Sequence, residues 1–251
     1  MMRYYVLSVL FGSIFLLSSA GYARCSSYGL STWPQDGDTL MRDSQVTISA
    51  VAQDQAVLHN PRGLLRLLDA EGIRIDFDIV RQYKGGHRTS QMVIVPQEGF
   101  RENTSYVLER RLRHDDNTWH VISTWDVIDE YDALPIGALN PRAQPIRTRR
   151  FGCGPAIGAR IDLGSDADSN TLYEVTLTNN KGHTQRGRVI SRHGILYIGH
   201  GMCSGMFAMN DTSYSATLTA LNQRGDQSAP STIDLIAAKD TGALYGPQRF
   251  K

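Results

Sequence analysis

Apolar and polar residues alternate with a period of two through most of the chain, and helical spacing is scarce. Val46, Ile48 and Ala50 sit between polar neighbours. Ile73, Ile75, Phe77 and Ile79 alternate more clearly, with Arg74, Asp76 and Asp78 turned the other way. Successive side chains of a strand point to opposite faces, so this pattern predicts strands with one buried face. Met92 to Val95, ending at Pro96, Tyr106 to Leu112, and Trp119 to Ile128 predict three more. Turn signals separate them at Glu71-Gly72, Gly85-Gly86, Glu98-Gly99 and Asp115-Asp116-Asn117. Gly63 to Asp69 passes for a helix, but it is brief.

From Asp129 to Pro145 the alternation lapses, and Pro135, Pro141 and Pro145 follow at close intervals. This predicts a linker over residues 131–146. The pattern then resumes at Ile157 to Leu163, Leu172 to Thr178, Gly187 to Ser191, Ile195 to Ile198, Tyr214 to Leu221 and Ser231 to Ile236. Short strands without intervening helices predict antiparallel sandwiches rather than α/β units. The expected class is all-β, with two sandwiches in tandem over residues 24–130 and 147–237, and a polar tail over 238–251.

Residues 1–23 read differently. Arg3 precedes an apolar run from Val6 to Leu17, too short to span a bilayer, and small residues follow to Ala23. This is the pattern of a cleaved secretory signal peptide. The cut falls after Ala23, with Ala20 as the alternative, and the expected location is periplasmic or secreted.

The two halves share an echo. Glu102-Asn103-Thr104-Ser105-Tyr106 and Asn210-Asp211-Thr212-Ser213-Tyr214 each end in Thr-Ser-Tyr and precede alternating apolar residues. A tyrosine in that place, its hydroxyl returned to nearby backbone, is the tyrosine corner of Greek-key sandwiches, so Tyr106 and Tyr214 are expected to serve structurally. Trp33-Pro34-Gln35-Asp36-Gly37-Asp38, Val46-Thr47-Ile48, Val95-Pro96 and Asn103-Thr104-Ser105-Tyr106 together resemble the bacterial Ig-like domains of exported and surface proteins. The second half resembles a fibronectin type III or related Ig-like module, through Tyr214, Leu218, Ala220-Leu221-Asn222, Arg224-Gly225-Asp226 and Ala229-Pro230-Ser231. The resemblance implies a fold and modules that bind, space or present. It implies no catalytic residue.

Charge changes little in this picture. The formal net charge of +1 falls to zero when Arg3 leaves with the leader. Binding to nucleic acid or an anionic membrane would need a clustered basic excess. Arg147, Arg149 and Arg150 come nearest and read as solvated linker. Three cysteines remain after export: Cys25, Cys153 and Cys203. In an oxidising compartment two are expected to pair. Cys153 with Cys203 is favoured because both fall in the second sandwich, and a loop of about 50 residues closed this way contributes roughly 4 kcal/mol in the chain-entropy treatment. Cys25 is then odd, and Arg24 before it departs from a lipoprotein acceptor.

The segment from His193 to Met209 carries the most chemistry. Gly201-Met202-Cys203-Ser204-Gly205 fits the outline of a nucleophile elbow, but Asn210-Asp211-Thr212 interrupts the helix such an elbow needs. His200, Met202, Met206 and Met209 offer imidazole and thioether ligands suited to copper(I), although methionines also fill cores. His87 lies in a glycine turn, and His114 and His120 are scattered. Asp115-Asp116-Asn117 and Asp166-Ala167-Asp168-Ser169-Asn170 read as solvated turns, without the calcium-loop spacing.

No enzyme site and no cofactor are expected. The leading expectation is a non-enzymatic binding or structural module whose partner is another exported protein or a cell-surface component, reached through loops or strand edges. One alternative is a periplasmic chaperone of the two-Ig-domain type, against which no paired basic cleft residues or donor strand can be read. The other is copper binding through residues 193–209.

Overall fold

In the computed structural model the described residues are 29–111, 117–129, 140–151, 154–164 and 171–238. The expected leader, Cys25, His114, Asp115, Asp116, Cys153, the Asp166–Asn170 turn and the tail beyond Ala238 lie outside them.

Leu65–Asp69 shows how the chain builds its sheets. Leu65, Leu67 and Asp69 are buried, while Arg66 and Leu68 between them are half-buried. Side chains of one parity enter the core, and burial on that face holds the register against a one-residue slip. Among the described residues the first sandwich has nine strands: β1 (Gly29–Trp33), β2 (Thr39–Leu40), β3 (Val46–Val51), β4 (Leu65–Asp69), β5 (Arg74–Ile75), β6 (Phe77–Lys84), β7 (Thr89–Pro96), β8 (Ser105–Arg110) and β9 (His120–Val127). They form two layers, ordered β1-β3-β7-β6 and β2-β9-β8-β4-β5. All pairings are antiparallel except β2 with β9. Between the layers lie Leu40, Ile48, Leu65, Leu67, Met92, Ile94, Tyr106, Leu108 and Trp125. The buried indole of Trp125 donates to the carbonyls of Pro34 at 3.2 Å and Gln35 at 2.9 Å. Its one polar group is thereby satisfied.

Two expectations fail here. Past Leu64, the run to Asp69 is extended rather than helical, because Leu65 and Leu67 are drawn into the core as β4 beside β8. Short helical turns instead precede it at Gln55–His59 and Pro61–Leu64, the latter opened by Pro61, whose missing N–H costs nothing there. The alternating run from Ile73 to Ile79 is not one strand either. The chain changes layer at Asp76, so that β5 pairs with β4 and β6 with β7. Ile73 and Ile79 are consequently exposed, at 57% and 38%. A bulge between Ile79 and Arg81 then shifts the register of β6.

The second sandwich holds β10 (Arg142–Ala143), β11 (Arg147–Phe151), β12 (Gly154–Asp162), β13 (Leu172–Asn179), β14 (Thr184–Ile190), β15 (Ile195–His200), β16 (Ser213–Leu221) and β17 (Ser231–Ile236). One layer has β12 between β15 and the successive strands β10 and β11, and the other runs β14-β13-β16-β17. Arg147, Arg149 and Arg150 therefore lie on a strand rather than in a linker. That strand is exposed along its whole length. The end of the expected linker also contributes structure, since β10 pairs with Asp162 and Ile161, and Ile146 enters the core.

The two tyrosines sit at matching places. Tyr106 Oη accepts the backbone N–H of Arg101 at 2.9 Å, and Tyr214 Oη accepts that of Asp211 at 2.8 Å. Each returns its hydroxyl to the loop entering its strand while the ring is buried.

Candidate functional site

The two sandwiches meet over a junction built from a central polar network, the contacts on its two flanks, and a third contact between a turn and a loop. At its centre, β7 of the first sandwich faces the free edge of β14 of the second. The side-chain amide of Gln91 pairs with the backbone of Arg188 as another strand would. Its Nε2 donates to the Arg188 carbonyl at 2.7 Å, and its Oε1 accepts the Arg188 N–H at 2.8 Å. An open strand edge leaves such groups unpaired, and here one glutamine satisfies both.

The Arg188 side chain runs back toward the first sandwich and is only 6% exposed. Nη1 donates to Thr47 Oγ1 at 2.9 Å and Nη2 to Gln45 Oε1 at 3.3 Å. Nε has no hydrogen-bond partner, and Glu174 Oε2 stands 3.8 Å from it. Glu174 is drawn instead toward the first sandwich, where Arg81 Nη1 donates to it at 2.8 Å and Tyr83 Oη at 2.5 Å. Burial pushes the Arg188 guanidinium down from its ordinary value, opposed by Tyr83 and Glu174. Burial likewise pushes the Tyr83 phenol up, reinforced by its hydrogen bond to Glu174.

Apolar contact flanks this network. Trp33, at the end of β1, packs with Leu172 and Leu221 of the second sandwich, with Ile190 beside them. Tyr83 and Val93 are part of the second sandwich's core. On the other side, the turn after β16 docks on the first sandwich: Gln45 N–H donates to the Gln223 carbonyl at 2.6 Å, and Gln223 Nε2 to the Thr39 carbonyl at 2.9 Å.

The third contact joins the β6–β7 turn to the loop after β15. Gly86 N–H donates to the Met206 carbonyl at 2.8 Å, and Gly205 N–H to the His87 carbonyl at 2.8 Å. Gly86 is required by its surroundings, because a Cβ there would stand 2.6 Å from the Ala208 nitrogen and 2.3 Å from Gln185 Oε1. The rings of His87 and His200 lie 4.5 Å apart across this contact, inclined at 35°.

Between the contacts lies an open cleft of about 260 Å³, bordered by Ser31, Thr47, Gln91, Arg188, Arg192 and Tyr197 among others. Concave sites of this kind favour domain interfaces. Its lining is rich in hydroxyls and includes two arginines, a combination fitted to polar or anionic groups.

The residues singled out from the sequence fall around the third contact. His200 ends β15, with Nδ1 2.7 Å from the Gly201 carbonyl. Met202 is 38% exposed in the following loop. Met206 and Met209 belong to the second core, with Met206 wedged against Gly85 and Gly187. Cys203 is disulfide-bonded, which removes the nucleophile an elbow would need. Its expected partner, Cys153, lies outside the described residues, but the neighbouring Gly154 lies against Met202, with 3.6 Å between a Cβ built there and the Met202 carbonyl oxygen. Among the described residues no group of three or more His, Cys, Asp or Glu is placed to hold a metal ion.

Sequence reasoning missed Gln91, Arg188 and Glu174, which lie within ordinary strand patterns. The available signal was Arg188 itself, a charge in a short run that otherwise reads as a strand.

The chain matches no protein-family model and no curated protein. Among solved structures it is similar to a two-domain fibronectin type III segment of chicken tenascin, at 10% identity over 84% of this chain and 99% of that one, with a TM-score of 0.24. It is also similar to a tetra-tandem repeat from the extending region of a large adhesion protein, at 9% identity and a TM-score of 0.22, covering 84% of this chain and 50% of that one. Scores this low carry no inference. The tandem sandwich architecture rests on the strand ladders themselves.

Proposed function

We propose that the chain is an exported, non-enzymatic binding or spacing module whose two immunoglobulin-type sandwiches act as one rigid unit. Support for the finer fold comes from strand order. The first sandwich corresponds to A-B-E-D against A′-G-F-C-C′, and the second to A-B-E against C′-C-F-G. The observation that carries the functional reading is the junction, where backbone, side-chain and apolar contacts all cross between sandwiches. Tandem domains joined by a few polar contacts move independently by default. A buried network with an apolar wedge holds them at a set angle, which suits a module that spaces or presents its loops. The expected partner is another exported protein or a cell-surface component.

Backbone ¹⁵N relaxation of the mature protein tests the rigid unit. One rotational correlation time for both sandwiches is expected, and two distinct times would refute it. A pull-down from the native envelope with the mature protein as bait tests the partner class.

A periplasmic chaperone of the two-Ig-domain type is the second reading. It is favoured by Arg188 and Arg192 in the inter-domain cleft, a pairing the linear sequence does not reveal. Co-purification of a stoichiometric subunit, lost in R188A, would favour it over the first.

A further inference from the structure

The histidine pair at the third contact has the makings of a metal site that neither sandwich has alone. His87 comes from the β6–β7 turn of the first sandwich and His200 from the end of β15 in the second. Each ring has one nitrogen committed to backbone. His200 Nδ1 lies 2.7 Å from the Gly201 carbonyl. The His87 ring hydrogen-bonds to the Met202 backbone, and because its Nε2 is buried without a partner, that bond belongs to Nδ1. A neutral imidazole that donates from Nδ1 to a carbonyl carries its lone pair on Nε2, the arrangement that orients histidine for a metal. An orphaned, buried Nε2 lone pair otherwise needs explaining, since buried polar atoms are normally paired.

Spacing is consistent with a shared ion. A metal–nitrogen bond of about 2.0 Å places each ring centre about 3.2 Å from the metal, so two rings at right angles stand about 4.5 Å apart and two at a tetrahedral angle about 5.2 Å apart. The observed separation is 4.5 Å, and the rings part by about 0.7 Å to hold an ion at the tetrahedral angle. Rings bound in line would be more than 6 Å apart, roughly twice the same ring-to-metal distance.

The character of the ligands selects the ion. Among the described residues no third His, Cys, Asp or Glu joins the pair, and the charge of Arg88 bears on His87. Met202 sits two residues after His200, its carbonyl already bonded to His87, and its side chain is part-exposed. A thioether beside imidazoles suits monovalent copper.

We propose that His87, His200 and the thioether of Met202 form a copper(I) site bridging the two sandwiches. The ion is taken up as copper(I), with no change of oxidation state. Met206 and Met209 take no part, because both are committed to the core. The site is independent of the binding-module reading and stands or falls separately from it.

The test uses the mature protein carrying C25S, which removes a thiol that would itself bind copper(I). Copper(I) is titrated anaerobically under ascorbate, which spares the disulfide, against the chromophoric competitor bicinchoninate. One equivalent is expected to bind. H87Q and H200Q should each weaken it at least tenfold and M202L several-fold, whereas M209L should leave it unchanged. Equal binding by the native-like H87Q/H200Q double variant overturns the proposal, as does failure of the C25S protein to compete for copper(I). Should the histidine variants misfold, long-range ¹H–¹⁵N spectra of the C25S protein decide. Both Nε2 resonances must move with one equivalent of copper(I), and unmoved resonances overturn the site.

Discussion

Replacing Gln91 with alanine strips the junction of its central contact while leaving both cores intact. The wild-type amide satisfies the N–H and C=O of Arg188 and also donates to Ser49 Oγ at 3.0 Å. An intramolecular hydrogen bond contributes about 0.5–1.5 kcal/mol net, but a buried group left unpaired costs about 1–3 kcal/mol. Two backbone groups of Arg188 lose their partner in Q91A. Water reaching from the adjoining cleft recovers part of the loss, so a destabilisation of about 2–4 kcal/mol is expected. The loss falls on the coupling between sandwiches, because Gln91 sits on the outer face of its own sheet. Urea unfolding followed by tryptophan fluorescence and by far-UV circular dichroism reads the effect. Wild type should unfold with coincident transitions, and Q91A should separate them, the second sandwich unfolding earlier. Hydrogen exchange at the Arg188 amide should accelerate in parallel. A Q91A protein within 0.5 kcal/mol of wild type, with coincident transitions and a protected Arg188 amide, would refute the reasoning.

Other perturbations probe the neighbouring contacts. W33A removes the indole packed on Leu172 and Leu221, and should cost about 3–5 kcal/mol by denaturant melt; a cost below 1 kcal/mol would mean the wedge is not seated. G86A forces a Cβ against Ala208 and Gln185 and should loosen the junction, read as a second correlation time in ¹⁵N relaxation; unchanged tumbling counts against the close approach. Tyr83 gives an alkaline signature. Burial, then its bond to Glu174, raises its folded pKa above the unfolded value near 10. Its contribution is therefore complete below pH 10 and lost as pH rises through the folded value, because the unfolded chain releases its proton first. Y83F should lack that alkaline loss in a pH series of melts, and parallel losses in both proteins would contradict the assignment. Free-thiol counting on the folded mature protein should find one reactive thiol per chain, or none if Cys25 bridges two chains; two or more would break the Cys153–Cys203 pairing.

Much of the architecture was legible in the linear order of residues, because a strand buried on one face writes its period into the chain. Val46 to Ala50, Leu172 to Thr178 and Ser231 to Ile236 appear as strands close to where they were read. Tyr106 and Tyr214 could be placed because the motif that positions them is local. Errors arose where local pattern and tertiary demand diverged. The run Ile73 to Ile79 alternates without a break, and nothing local says that the chain crosses between layers at Asp76. Arg147 to Phe151 reads as solvated, and it is, but backbone pairing with β12 needs no apolar side chains.

The junction was decided by tertiary structure alone. Gln91 and Arg188 are ordinary strand residues in the sequence, nearly a hundred positions apart. Their importance arises only when a free edge and a polar sheet face are brought together. His87 lies in a turn and His200 at the end of a strand far along the chain, and no spacing rule connects them. Periodicity records which face of a strand is dry, so the chain by itself specified two sandwiches. It holds no comparable record of which dry or polar surface meets which. That choice is made by long-range packing, here by Trp33, Gln91 and the glycine turn at Gly86, and it created the cleft and the histidine pair.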